Sequence, residues 1–499
     1  WHPSKRGYPK IGNLQIIATT AQNIKFKPMN CKLGKLEIPA DQPFLNCKLG
    51  REKYAEVLKA IITTYKKGFV LAIDGKWGTG KTTFVEMWKA YLELDKFHTL
   101  YFNAWENDFI SDPLVGLIGE LTKINSSKRT KDLASSMINT AGRIVLKAVP
   151  AMFKGVIKKH AGEEVVEVLY DCIGEGSSML KKEIDNYERQ KESLLKFRED
   201  LEIFVNEVCE KKPLIFIIDE LDRCNPHYAV KVLERIKHLF NIPNIIFVLS
   251  IDKEQLSNSI RGYYGSDLIN ANEYLKRFID IEYALPDPDV EKFCSYLYDY
   301  YGFEAYEKAR GTKEMEESIL TIANTLFMHK NLSLRQIEKI FAHIRLSLNM
   351  YKHNQVIYAE LICLLTYLRI CESDCYVKIT HESYTIQELT DQLESIIPKQ
   401  ILQIKKKYES SPSRQFHFTI ALLLRCYTFK YENSDENDKL LTRDPSQPNL
   451  VINFNVKTIN KELLSSALEW TSQRNIAVPL HYFTQRINLL ENFAIYNIE

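Results

Sequence analysis

The sequence predicts an α/β fold in which a parallel sheet is wrapped by helices, carries a helical insertion and leads into a helical region. Three observations predict it. An apolar run, Phe69-Val70-Leu71-Ala72-Ile73, leads into Gly75-Lys76-Trp77-Gly78-Thr79-Gly80-Lys81-Thr82, and a helix-forming stretch starts at Thr82. Strand, glycine-rich turn and helix form the context in which G-x-x-x-x-G-K-[ST] cradles phosphate, so the flanks argue against a chance match. Further apolar runs, at 98–102, 213–218 and 244–251, alternate with helical patterns, which implies parallel strands with ligands at their carboxyl ends. Beyond Leu285-Pro286-Asp287-Pro288-Asp289, a Pro-rich boundary, the apolar spacing is mostly helical.

Taken in order, residues 1–28 have no strong periodicity, and Met29 is a natural start position, so 1–40 reads as an N-terminal extension. It lacks the apolar core and small-residue cleavage site of a secretory signal. Asn30-Cys31-Lys32-Leu33-Gly34 recurs as Asn46-Cys47-Lys48-Leu49-Gly50, an echo too short for a repeat architecture. Tyr54, Val57, Leu58, Ile61 and Ile62 fall at helical spacing. His98–Phe102 reads as a strand and Asp112-Pro113-Leu114 opens a helix. A helical insertion spans 123–210. Its stretch 141–159 is apolar but carries Arg143, Lys147, Lys154 and Lys158, which favours an amphipathic helix packed on protein over an interfacial membrane helix. Leu180, Ile184, Tyr187, Leu194, Leu201, Val205 and Val208 fall near a heptad seam interrupted by Lys191 and Arg198, so a long helix is expected there. Pro213–Asp219 and Asn244–Ile251 read as buried strands, with a helix from His227 to Phe240 between them. Helices are expected at 314–328, 333–349, 357–370, 386–407 and 417–428. The domains expected are thus a core over 41–285, a helical lid over 286–350 and a helical C-terminal domain over 351–499.

The chain has 499 residues, about three domains' worth. Lys and Arg number 66 against 64 Asp and Glu, so the overall charge carries no nucleic-acid or membrane signal and leaves only a local basic patch open. Ten cysteines are scattered, and only Cys371 and Cys375 are close-set, without a second pair to complete a zinc site. Scattered thiols fit a reducing compartment, and no stretch approaches about 18 uninterrupted apolar residues. The expectation is a cytoplasmic protein without a membrane span.

In the glycine-rich loop, Gly75, Lys76, Trp77, Gly78, Thr79, Gly80, Lys81, Thr82 and Thr83 are the candidate ATP-binding residues. Backbone N–H groups curl around the phosphates and the helix N-terminus adds partial positive charge. Lys81 is expected at the β- and γ-phosphates, and Thr82 on Mg²⁺. The strand Pro213–Ile218 ends in Asp219-Glu220. An acid pair at that place gives a second metal-holding residue, Asp219, and a general base, Glu220. Asp222 and Arg223 read equally as a local salt bridge or as catalytic groups.

These residues resemble the KAP P-loop NTPases, a family similar to AAA+ and STAND ATPases. The resemblance covers roughly 41–343. It rests on Asp41, Leu49-Gly50-Arg51-Glu52-x-Tyr54-Ala55, the loop at 75–82, Phe102-Asn103-Ala104-Trp105, Ile217-Ile218-Asp219-Glu220-Leu221-Asp222-Arg223-Cys224 and Tyr274-Leu275-Lys276-Arg277-Phe278. It implies a P-loop NTPase core with an additional strand between the two Walker strands, expected to be the one ending at Phe102. The sequence departs from the family's usual Asp-Asp-Leu-Asp-Arg by carrying Glu220, which keeps the carboxylate. It also lacks the transmembrane helices that many members carry in the insertion. Asp252 looks like a polar sensor of the γ-phosphate, although a helix N-cap explains it equally well. Arg277 stands where the family often has a basic residue, and Arg335 resembles a lid arginine reaching the γ-phosphate. Arg223 and Arg335 could act within one chain and Arg277 toward a neighbour.

The resemblance implies an ATPase, using ATP and Mg²⁺, that acts as a conformational switch in a multi-protein assembly. It implies protein partners encoded nearby and a place in bacterial anti-phage defence, in one version beside a nuclease and a nucleobase-modifying enzyme. Self-association and nucleic-acid binding are left open. A nucleic-acid-handling motor would need a basic channel interleaved with aromatics, and no convincing one is legible. A scaffold with a slow, structural nucleotide site is the remaining alternative.

Overall fold

The computed structural model describes residues 33–489, apart from 66, 111, 125–126, 146–178, 210–211, 240–241, 312–314, 353, 404–410, 430–439, 444–449 and 475–477. The expected N-terminal extension before Leu33, and all but the start of the amphipathic stretch at 141–159, lie outside the described residues. The chain divides into two compact units: Leu36–Pro288, and Asp289–Glu499 with 1–35.

In the first unit, helix α1 (Glu52–Thr64) precedes strand β1 (Phe69–Asp74), helix α2 (Lys81–Leu94) and strand β2 (Thr99–Asn103). Helices α3 (Pro113–Leu121), α4 (Lys128–Val145) and α5 (Met179–Cys209) separate β2 from strand β3 (Leu214–Asp219). Helix α6 (Pro226–Leu239), strand β4 (Ile245–Ile251), helices α7 (Lys253–Tyr264) and α8 (Ala271–Leu275) and strand β5 (Ile281–Ala284) complete it. The five strands form one sheet in the order β2-β3-β4-β1-β5, and every pair is parallel.

The strand lying between β1 and β3 is β4, not β2 as the family resemblance implied. Order along the chain is not order in the sheet. The apolar runs record the difference: every residue of β3 and β4 is buried, as parallel strands covered on both faces require. In β2 only Leu100 and Phe102 are buried, as suits an edge strand. Strand β5 escaped the sequence reading because Ile281-Glu282-Tyr283-Ala284 has no apolar run. Its ends are fixed instead by hydrogen bonds, from Asp280 N to Val70 O (3.0 Å) and from Leu285 N to Asp74 O (2.7 Å).

Two apolar layers sandwich the sheet. Leu58 and Ile62 of α1 and Phe84, Val85 and Trp88 of α2 cover one face. Leu114 and Leu117 of α3, Leu233 of α6 and Leu256 of α7 cover the other, together with the insertion. In the insertion α4 packs along α5, burying Met137, Ile138, Phe197, Leu201 and Val205, and Ser136 Oγ donates to Asp200 (2.6 Å). Leu201, Val205 and Val208 of the expected seam are buried, as is Phe197, outside it. The side chains of Leu180, Ile184 and Tyr187 lie outside the described residues.

The second unit is mainly helical. Helices run over Met315–His329, Leu334–Leu348, Ala359–Cys371 and Ser411–Thr428, close to their expected positions or longer. The helix expected over 386–407 stops at Ile396. Ile397 precedes Pro398, which pushes it into extended backbone (ψ 136°), and a short helix, Lys399–Leu402, follows; residues 404–407 of the expected span lie outside the described residues. An antiparallel pair, Leu441–Arg443 with Leu450–Ile452, had no sequence signal.

Gly68 enters β1 so close to its neighbours that a methyl group there would fall on the carbonyl oxygens of Ile242 and Ile245. Backbone cannot swing aside. Gly68→Ala should therefore lower stability by about 1–3 kcal/mol in urea or thermal unfolding. An unchanged midpoint would contradict this packing.

Candidate nucleotide-binding site

The glycine-rich loop runs from the end of β1 into α2. Its start is fixed by a hydrogen bond from Gly75 N to Ile251 O at the end of β4 (3.1 Å). Gly78 (φ 76°) and Gly80 (φ 83°) take left-handed backbone, which residues with a side chain rarely adopt. Gly80 caps α2 without a side chain, so no side chain covers the first N–H groups of that helix. Thr79 Oγ1 donates to Lys76 O (2.8 Å) and closes the turn.

Lys81, 8% exposed, lies inside this loop. Its ammonium donates to Gly75 O, in a short contact, and to Lys76 O (3.2 Å). Burial lowers its pKa, while Asp222, Asp252, Asp219 and Asp74 act in the opposite direction. Thr82 is half-buried and Thr83 exposed, both in the first turn of α2.

Two carboxylates pin the loop's apex. Trp77 N donates to Asp252 Oδ2 (3.0 Å), and Trp77 Nε1 donates to Asp222 Oδ2 in a short contact. Asp252 Oδ1 accepts from Gln255 N (3.2 Å) and so caps α7 as well. Asp222 is 5% exposed and burial raises its pKa. Its Oδ1 is buried without a hydrogen-bond partner, as is the hydroxyl of Ser250 at the end of β4.

Asp219 and Glu220 close the opposite side. Asp219 Oδ2 accepts from the Tyr101 hydroxyl (2.9 Å) and Oδ1 from Glu220 N (2.9 Å). Glu220 has left-handed backbone (φ 60°) and caps the 3-10 turn Leu221–Arg223. One carboxylate oxygen pairs with Arg223 and the other accepts from Asn103 Nδ2 (3.2 Å). Burial raises the Glu220 pKa, and Arg223 opposes that rise. The local salt bridge of this turn therefore joins Arg223 to Glu220, while Asp222 turns to Trp77.

The model of the KAP family P-loop domain matches residues 51–351. The chain belongs to the KAP family of P-loop NTPases. It is also similar to the phage T7 exclusion protein of Escherichia coli (strain K12), at 20% identity over 244 residues. That match takes in 44% of this chain and 30% of the relative, so the chain spans about a third of the relative's length. Among solved structures, the Aeropyrum pernix ORC2 protein in its ADPNP and ADP complexes aligns over 88% of this chain and 86% of that one. Identity there is 13% and the TM-score 0.28, too low to bear on the fold. No helix among the described residues is long and apolar enough to cross a membrane.

The fold brings Lys81, Asp219, Glu220, Asp222 and Asp252 to the carboxyl ends of β1, β3 and β4. It does not bring Arg277 into that hydrogen-bond network. Arg277 lies in the turn after α8, exposed and without a side-chain partner among the described residues. Arg335 stands exposed in the first turn of Leu334–Leu348, in the second unit, behind a capping box made by Ser333 and Gln336. Sequence reasoning assigned no role to Tyr101, Asn103 or Ser250. Asn103 was in view within Phe102-Asn103-Ala104-Trp105; the other two carry no motif.

The donor set suits Mg²⁺ carried by a triphosphate. It consists of the Thr82 hydroxyl and the Asp219 carboxylate, oxygen ligands of the kind that Mg²⁺ takes. Asp219 keeps lone pairs beyond its two hydrogen bonds. Lys81→Ala removes the ammonium that phosphate would draw from the Gly75 and Lys76 carbonyls. MgATP affinity by calorimetry should then fall roughly 10- to 100-fold, the worth of a hydrogen bond to a charged group. Undiminished affinity would remove the loop from nucleotide binding.

Proposed function

We propose that this KAP chain binds and hydrolyses ATP and uses the cycle as a conformational switch on a protein partner. The observation that carries this reading is the state of Lys81: a buried ammonium held by carbonyls of its own loop, with carboxylates alongside. Phosphate oxygens are better acceptors for an ammonium than amide carbonyls, because the bond is then charged on both sides. Lys81 and the N-terminus of α2 bind the β- and γ-phosphates, and Thr82 and Asp219 hold Mg²⁺. The metal neutralises charge on the phosphates. Glu220 takes the proton of the attacking water. Asp252 and Asp222 keep the loop open at Trp77 and, through it, set the position of the phosphates.

Asp252, capping α7 while holding Trp77 N, also supports a sensing role, since a shift of the loop would be felt by α7. Arg277 is exposed, and we assign it to charge offered by a neighbouring chain; Arg335 is exposed in the second unit. The similarity to a phage T7 exclusion protein supports placing the switch in defence against phage.

Glu220→Gln keeps the shape and removes the base. Steady-state phosphate release should drop roughly 10²-fold or more with MgATP affinity retained. Unchanged release would move the base to Asp222, and Asp222→Asn would then show the loss.

A further inference from the structure

We infer that Arg223 is a positioning residue that holds the Glu220 carboxylate in a resting orientation, so that release of this ion pair limits turnover. The inference deepens the ATPase reading and rests on it.

Four residues close a ring of contacts outside the phosphate loop. Glu220 pairs with Arg223 through one oxygen and accepts from Asn103 Nδ2 through the other (3.2 Å). The Arg223 guanidinium lies over the Trp105 ring, 5.6 Å from its centroid. Asn103 Oδ1 in turn accepts from the backbone N–H groups of Trp105 (3.1 Å) and Glu106 (3.2 Å). The loop's own anchors, Asp222 and Asp252 on Trp77, are separate from this ring. Glu220 is thus oriented by the end of β2 and by its own 3-10 turn, not by the groups that hold the phosphates.

Such an orientation opposes catalysis. A general base must aim a lone pair at the proton it removes, and geometry is the first requirement. Here each oxygen already carries a side-chain contact, one to Arg223 and one to Asn103, and the two together set where the remaining lone pairs point. Glu220 also stands in left-handed backbone, uncommon for a residue with a side chain. Arg223 is 25% exposed and Trp105 51% exposed. Glu220, its partner, is 11% exposed, so the pair stands at the edge of the site, and opening it leaves the sheet and both apolar layers intact. The contacts therefore describe a catch.

The opposite role for Arg223 is to stabilise charge in the transition state, and the two roles predict opposite signs. The test is steady-state MgATP turnover by the full chain, with ATP affinity measured in parallel. With Arg223→Gln, kcat should rise about 3- to 10-fold, the rate equivalent of about 0.7–1.4 kcal/mol, at unchanged affinity. Arg223→Lys, which keeps the charge, should stay near wild type. Trp105→Leu loosens the stack without touching the ion pair and should give a smaller rise, so the test survives if Arg223→Gln folds poorly. In a Glu220→Gln background, Arg223→Gln should give no gain. A fall in kcat, or no change, in Arg223→Gln or Trp105→Leu that still bind ATP overturns the proposal. If neither wild type nor variants bind or turn over ATP, the ATPase reading itself fails.

Discussion

The structure of the site depends on one burial. The Lys81 ammonium is taken almost fully out of water, and a buried charge persists only where the surroundings compensate it. Two backbone carbonyls bond it directly, and Asp222, Asp252, Asp219 and Asp74 supply opposing charge. Those acids outnumber the ammonium. A bare triphosphate would meet a surplus of like charge there, whereas a triphosphate bringing its own divalent cation would not. Under the proposed function, this balance favours a nucleotide that arrives with a divalent cation.

The acids then separate by what already holds them. Asp252 caps α7 and carries the loop backbone at Trp77. Asp222 is committed to the Trp77 indole, and Asp219 to Tyr101 and to the Glu220 amide. Glu220 is held by Arg223 and Asn103, two side chains outside the phosphate loop. Under the proposed function, the base is thus oriented by contacts other than those that would hold the phosphates.

Much of this was legible in the sequence, for physical reasons. Strands β1, β3 and β4 stand out because parallel strands buried on both faces must be apolar without interruption. The loop stands out because left-handed backbone at Gly78 and Gly80 favours glycine. What stayed hidden depends on register and order. Asn103 meets Glu220, and Tyr101 meets Asp219, only because β2 pairs with β3 so that Asn103 lies opposite Asp219. No local pattern records that pairing, and the same blindness put β2 rather than β4 between the Walker strands. Of the two readings of Asp252, the structure shows the helix cap, and the same carboxylate also holds the loop at Trp77. The break at Pro398 was written in the sequence and outweighed by the helical periodicity around it.

The most direct test of the central claim is a crystal structure of the chain with Mg²⁺ and a non-hydrolysable ATP analogue. The account expects Lys81 Nζ on β- and γ-phosphate oxygens, no longer on the Gly75 and Lys76 carbonyls. It also expects the metal at about 2.0–2.1 Å from the Thr82 hydroxyl. A nucleotide bound elsewhere, with Lys81 still on the carbonyls of its own loop, would contradict it.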